Sequence, residues 1–356
     1  MTRVTDRPFE PRCSLPPGLV IPVRIDPTGR RGPTRGAAAG PRWRRVGPNA
    51  YVPSRTDSLV PEQRALEAAC HLRPGGAVTG WAGLRWAGGA YFDGLLRGET
   101  LPVPLALGHG RGRRTPRGVQ LSYEPLRPDE TVTWEGLTVT SPLRSLFFEM
   151  RRPGDWRDAV VAMDMAAAAE LVSLRQVRAY AAGRSTWRRS EQVARALPYA
   201  SEHSRSPAEV RIRLLWEVDA GLPRPFVNQE VFDLRGRLIC IADLFDEEAG
   251  MVVKYDGAEH RKARRHSRDV AREERCRQVE LEYCKITGPD MHRPQVVVDR
   301  LLSVRGRAKF HSTTARPWTL APPPGWSSTP SLDERIARRE LSLRAFAERG
   351  VLVPPW

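Results

Sequence analysis

The segment Met251–His260, MVVKYDGAEH, concentrates more chemically capable side chains than any other stretch of this chain. An apolar strand delivers Lys254, Asp256 and His260 to one neighbourhood, just after a second strand that carries Asp243. Strand side chains repeat every two residues, so Asp256 shares a face with position 254, and Asp243 lies eleven positions before 254 on the neighbouring strand of a hairpin. Converging carboxylates offer oxygen ligands to a hard divalent cation. Lys254 breaks that pattern, because an ammonium has donors and no lone pair. A further acid, Glu209, stands at the third helical position after Ser206 as N-cap and Pro207 at the first, the signature of a capping box.

Periodicity supplies the elements that must hold these groups. After Ser206, Val210, Leu214 and Val218 fall four apart and bury one helix face, which Gly221-Leu222-Pro223 ends. Two strands follow, Asn228–Leu234 and Leu238–Leu244, joined by an Arg235-Gly236 turn; Asp246–Gly250 then turns into the strand Met251–Tyr255. A basic helix over about Arg264–Val279 and a strand over Glu282–Thr287 complete the set.

Five ordered motifs, S-P-A-E, I-A-D-L, V-V-K-Y-D-G-A-E-H, D-V-A-R and Y-C-K-I-T-G-P-D, together resemble the PD-(D/E)XK-type family similar to very short patch repair endonucleases, over about residues 204–302. The resemblance implies a restriction-endonuclease-like α/β/α domain that hydrolyses DNA phosphodiesters with Mg²⁺. In that family an E-x-D-G-x-x-H pattern lies on the central strand. Carried over, the catalytic positions are Glu209, Asp243, 254, Asp256 and His260, with Glu209, Asp243 and Asp256 as metal ligands and His260 as general acid or phosphate-orienting group. Lys254 occupies the family's glutamate position. Its ammonium would take the metal's place between Asp243 and Asp256 and leave a folded, catalytically silent core; the rival reading is a working nuclease in which Lys254 takes part or Glu247, Glu248 or Glu259 supplies the missing oxygen.

Plainer roles compete at each position. Glu209 is equally the capping partner of Ser206, Asp256-Gly257 is a turn signal, and His260 lies in the solvated run EHRKARRHSRD. Lys262, Arg264, Arg265, Arg272 and Lys285 are the candidate phosphate contacts. Against that, Asp269 and Arg272 have the spacing of a helix-surface pair, and Lys285 of a solvated strand end.

Upstream, GAVTGWAGLRWAGG, then GLTVTSPLRSLFFEM, then an amphipathic helix over about Trp156–Leu171 resemble the N-terminal half of proteins related to type IV antitoxins of the abortive-infection class. That implies a winged-helix-like α+β domain, with DNA or a cognate toxin as partner. Trp81, Leu84 and Trp86 read as core, Ser141 as the N-cap of a helix with Pro142 at its first position, and Arg144 with Asp164 as a buried ion pair between two helices.

The formal net charge of +16 favours a polyanion as large partner, although only Lys254, Lys262, Lys285 and Lys309 are lysines, so a general arginine bias accounts for it as well. Cys13, Cys70, Cys240, Cys276 and Cys284 show no CxxC pair and no zinc spacing, so neither a disulfide framework nor a structural zinc site is indicated, and a reducing cytoplasm fits best. No uninterrupted run of 18 apolar residues exists, so no membrane partner is expected. The division read from composition is a basic arm without ordered structure (1–45), the winged-helix-like domain (46–183), a helical linker (184–205), the nuclease-like domain (206–310), a proline-rich linker (311–331) and a charged C-terminal helix (332–356). The alternative function is a DNA-binding, antitoxin-like regulator with an inactive nuclease core.

Overall fold

The computed structural model describes residues 17–109, 112, 114–257, 263–327 and 329–348, with side chains for all of these except 263–270, 346 and 347. The chain is mixed α/β and falls into two units: one takes the described residues up to Pro153, Ala169–Ala194 and those from Ser331 on, the other Gly154–Ala168 and Arg195–Pro330. The helix Trp156–Ala168 therefore packs in the second unit. The C-terminal helix Leu332–Glu348 returns to the first, where Asp333 binds Arg175 at 2.8 and 3.0 Å and Arg335 binds Glu170 at 2.6 Å.

A five-stranded mixed sheet forms the first unit, in the order Val119–Ser122, Val103–Ala106, Ala77–Val78, Leu137–Thr140, Thr131–Trp134. Trp81, Leu84 and Trp86 are core residues, as their spacing predicts. Each buried indole N–H still needs an acceptor, and finds one: Trp81 donates to the Pro102 carbonyl at 2.9 Å, Trp86 to that of Trp134 at 3.2 Å. Gly80 starts their helix at φ +57°, where a Cβ would stand 2.7 Å from Pro104 and 2.9 Å from Phe148, so only glycine fits. Ser141 caps the helix Pro142–Met150, its hydroxyl accepting from the Arg144 N–H at 3.3 Å. Arg144 is fully buried, but its partner is Glu124 at 3.1 Å, with the guanidinium over the Trp187 ring. The expected Arg144–Asp164 pair does not form, because Asp164 sits in the other unit.

The segment 1–45 is also not a free arm along its described part. Val23 and Tyr51 exchange backbone hydrogen bonds at 2.9 and 2.8 Å, and Trp43–Gly47 pairs with Ala50–Pro53. Two polar residues of the helix Pro61–Ala69 anchor this region: Gln63 clasps the Val20 backbone at 2.8 and 3.0 Å, and Glu67 holds Arg44 at 2.9 and 2.8 Å.

The second unit contains α1 (Trp156–Ala168), α2 (Pro207–Leu214, prolonged by a π turn over Leu215–Asp219), β1 (Phe226–Asp233), β2 (Leu238–Asp246), β3 (Met251–Asp256), α3 (Ala263–Gln278), β4 (Glu282–Thr287), α4 (Pro294–Gly306) and β5 (Trp318–Thr319). Its sheet runs β4-β3-β2-β1-β5. β1, β2 and β3 form an antiparallel meander, and β4 joins β3 in parallel after the α3 crossover, the connection a parallel neighbour requires. Apolar side chains cover both faces: Leu244, Met251 and Val253 pack with Trp216, Val297 and Leu301, while Ala242, Phe245 and Val252 pack with Cys276, Leu281 and Trp318. Burial on both sides explains why β3 opens as an unbroken apolar run.

Within the stretch expected as a proline-rich linker, 311–331, the residues around Trp318 and Trp326 pack on this sheet instead. Trp318 meets Phe245 edge to face at 5.2 Å between ring centres, and Trp326 donates to Glu230 at 2.8 Å. α1 is tied to α2 by a buried network in which Asp164 accepts from Arg213 at 2.7 Å, the Ser204 hydroxyl at 2.8 Å and the Ser201 N–H at 2.8 Å.

Candidate functional site

Capping geometry places Glu209. Ser206 accepts from the Glu209 N–H at 3.3 Å, and the Glu209 carboxylate reaches back to the Ser206 hydroxyl at 3.0 Å and the Arg205 N–H at 2.9 Å. The same carboxylate accepts from Asn228 Nδ2 at 2.8 Å, which links the start of α2 to β1. Asn228 adopts φ +52°, an αL conformation that asparagine tolerates better than most residues, and its amide also donates to the His203 carbonyl at 2.8 Å.

Sheet register places Asp243 and Lys254. Leu244 pairs with Val253 across β2 and β3, so the preceding and following residues, Asp243 and Lys254, face each other. Lys254 Nζ binds Asp243 Oδ1, and Asp243 Oδ2 accepts the Tyr255 N–H at 2.7 Å. Asp243 is nearly buried at 8 % exposure, so both its oxygens are committed to N–H donors away from bulk water.

Asp256 is on the same sheet face by the two-residue period, yet it turns to β4. Lys254 stands beside Lys285 in the parallel register, and Lys285 Nζ binds Asp256 Oδ2 at 2.7 Å. The face therefore carries two lysine–aspartate pairs side by side.

Glu209, Asn228, Asp243 and Lys254 line one cleft of about 460 Å³, together with Arg205, Arg272 and Arg275 and the strand residues Leu238–Ile241. Of the five catalytic positions carried over from the resemblance, Glu209, Asp243 and Lys254 are there, Asp256 is not, and His260 lies outside the described residues. Arg272, expected as a phosphate contact, lines the cleft; Lys285 is engaged with Asp256 instead. Glu247 and Glu248, considered as replacement ligands, bind Arg316 at 2.7 Å and Arg305 at 2.5 Å. His260, Lys262 and Glu259 lie outside the described residues, and Arg264 and Arg265 lie on α3 within the stretch whose side chains are not described. Arg205, Asn228, Cys240 and Arg275 are cleft residues that the motifs did not point to. Arg275 was legible, since it lies three positions after Arg272 on one helix face.

Among the described residues the donor set does not fit Mg²⁺ as a resident ion. The Lys254 ammonium, which has no lone pair to give a metal, already neutralises Asp243, and Asp256 points to a different partner. Among the described residues the cleft instead presents four cations, Arg205, Lys254, Arg272 and Arg275, beside two carboxylates, Glu209 and Asp243. That arrangement attracts an anion. No family model matches the chain, and neither a curated protein nor a solved structure does.

Proposed function

We propose that the second unit is a nucleic-acid-binding domain of the restriction-endonuclease-like kind whose hydrolytic centre is silent, and that the chain acts as a DNA-binding regulator rather than as a nuclease. One observation carries the reading: Lys254 Nζ sits on Asp243 inside a cleft whose other walls supply three arginines. In that position the lysine performs the charge compensation that a cation gives a carboxylate, and it cannot activate water as a metal does. The arginines offer planar, permanently charged donors to phosphate oxygens. The meander, the parallel fourth strand and the helices on both faces support the fold assignment by their order alone; the winged-helix-like reading of the first unit rests on its sequence motifs.

The test is duplex binding in the absence of divalent metal. Three arginines that each neutralise one phosphate predict an affinity roughly forty-fold lower at 200 mM than at 50 mM salt, and Arg272→Ala or Arg275→Ala should each reduce the logarithmic salt slope by about one. Binding that ignores salt, or that both variants leave unchanged, would remove the cleft from the account.

A further inference from the structure

Cys240 on β2 and Cys276 on α3 are free thiols in one buried cluster. That cluster packs α3 on the sheet, and one residue before each cysteine Arg275 Nε donates to the Ile239 carbonyl at 3.2 Å, so helix and strand are fixed together at this point. Cys240 is also a lining residue of the cleft, whereas Cys276 is fully buried.

We propose that Cys240 and Cys276 are an oxidation site, a dithiol that hydrogen peroxide converts into a disulfide joining β2 to α3. The inference is independent of nucleic-acid binding. In the first step the Cys240 thiolate attacks a peroxide oxygen, the O–O bond breaks, and hydroxide leaves and takes up a proton, which gives Cys240 sulfenic acid and one water. In the second the Cys276 sulfur attacks the Cys240 sulfur, the S–O bond breaks, and the departing hydroxide takes the Cys276 proton as the second water. Two thiols are oxidised by two electrons and one peroxide is reduced to two waters.

The surroundings assign the order of attack. The neighbouring Cys276 thiol holds the Cys240 thiol below its ordinary pKa against the effect of burial, and the nearby charges of Lys254, Arg272 and Arg275 act in the same direction. The same pairing pushes Cys276 up and keeps it the protonated, resolving partner. Elsewhere burial raises the thiols, Cys70 to about 11 and Cys284 to about 12, so both are poor nucleophiles at neutral pH.

The experiment treats the full chain with limiting hydrogen peroxide, blocks remaining thiols with N-ethylmaleimide, and maps unreduced peptides by mass spectrometry. The expected product is a Cys240–Cys276 linked peptide, lost on dithiothreitol treatment, with Cys70 and Cys284 still alkylated. In Cys276→Ser, checked for an unchanged melting temperature, dimedone should label Cys240. The wild-type chain decides the matter even if that variant does not fold. Both cysteines recovered as maleimide adducts, Cys240 linked to a different cysteine, or sulfinic acid at Cys240 without any linked peptide would overturn the proposal.

Discussion

At the scale of single residues, the chemistry turns on the ammonium of Lys254 and the carboxylate of Asp243. Replacing Lys254 by glutamate changes the cleft by two charge units and returns an oxygen ligand next to Asp243, so Lys254→Glu should bind Mg²⁺ more tightly than the wild type by calorimetric titration. Equal, weak binding by both would mean that Lys254 does not exclude the ion. Asp290 offers a separate test in pH. Hydrogen bonds from Arg300 at 2.7 and 3.0 Å, then from the Thr287 hydroxyl and N–H, hold its carboxyl well below the usual range. The folded pKa is depressed, so its stabilisation is complete above the unfolded pKa of about 4 and is lost as pH falls below that value. Chemical denaturation of Asp290→Asn should show a loss of about 1 kcal/mol at neutral pH, with the gap to the wild type closing in acid. A gap that does not change with pH would mean that the charge is immaterial. Lys254 was visible in the sequence as a cation in a pattern of acids, and the two-residue period put Asp256 on its face. The Asp256–Lys285 pair was not visible, because it depends on the parallel register of a strand that returns after a whole helix.

At the scale of elements, β1 to β4 and α3 stand within a few residues of where alternation and turn residues put them. A buried apolar face constrains period and register together. What the pattern does not encode is the partner of an amphipathic helix. α1 reads correctly as a helix, but its buried Asp164 meets Arg213, 49 residues later, and not Arg144. Breaking that pair leaves a charge in a dry site, so Arg213→Met should cost about 3–5 kcal/mol in denaturant unfolding, far more than the surface change Arg157→Met, whose salt bridge to Asp219 is partly exposed. Similar losses for the two variants would show that the buried network contributes no more than a surface pair. The proline-rich stretch teaches the converse lesson. Its composition signals a linker, whereas two tryptophans with an edge-to-face contact and a carboxylate acceptor fasten it to the sheet.

At the scale of the whole molecule, the excess of basic residues acquires a local meaning where, among the described residues, three arginines and a lysine outnumber two acids around one cleft. Net charge alone does not separate a phosphate-binding surface from an arginine-rich composition; the arrangement does, because clustered charges raise the local potential that a polyanion meets. The two units were anticipated in number, but the chain crosses between them more often than its composition shows, at α1 and again at the C-terminal helix. The measurement that bears most directly on the central claim is plasmid cleavage by the purified wild-type chain in Mg²⁺, read as conversion of supercoiled to nicked or linear DNA beside an Asp243→Ala control. The account predicts bound, uncut plasmid for both proteins. Mg²⁺-dependent cleavage by the wild type that disappears in Asp243→Ala would contradict it and show that Lys254 belongs to a working nuclease.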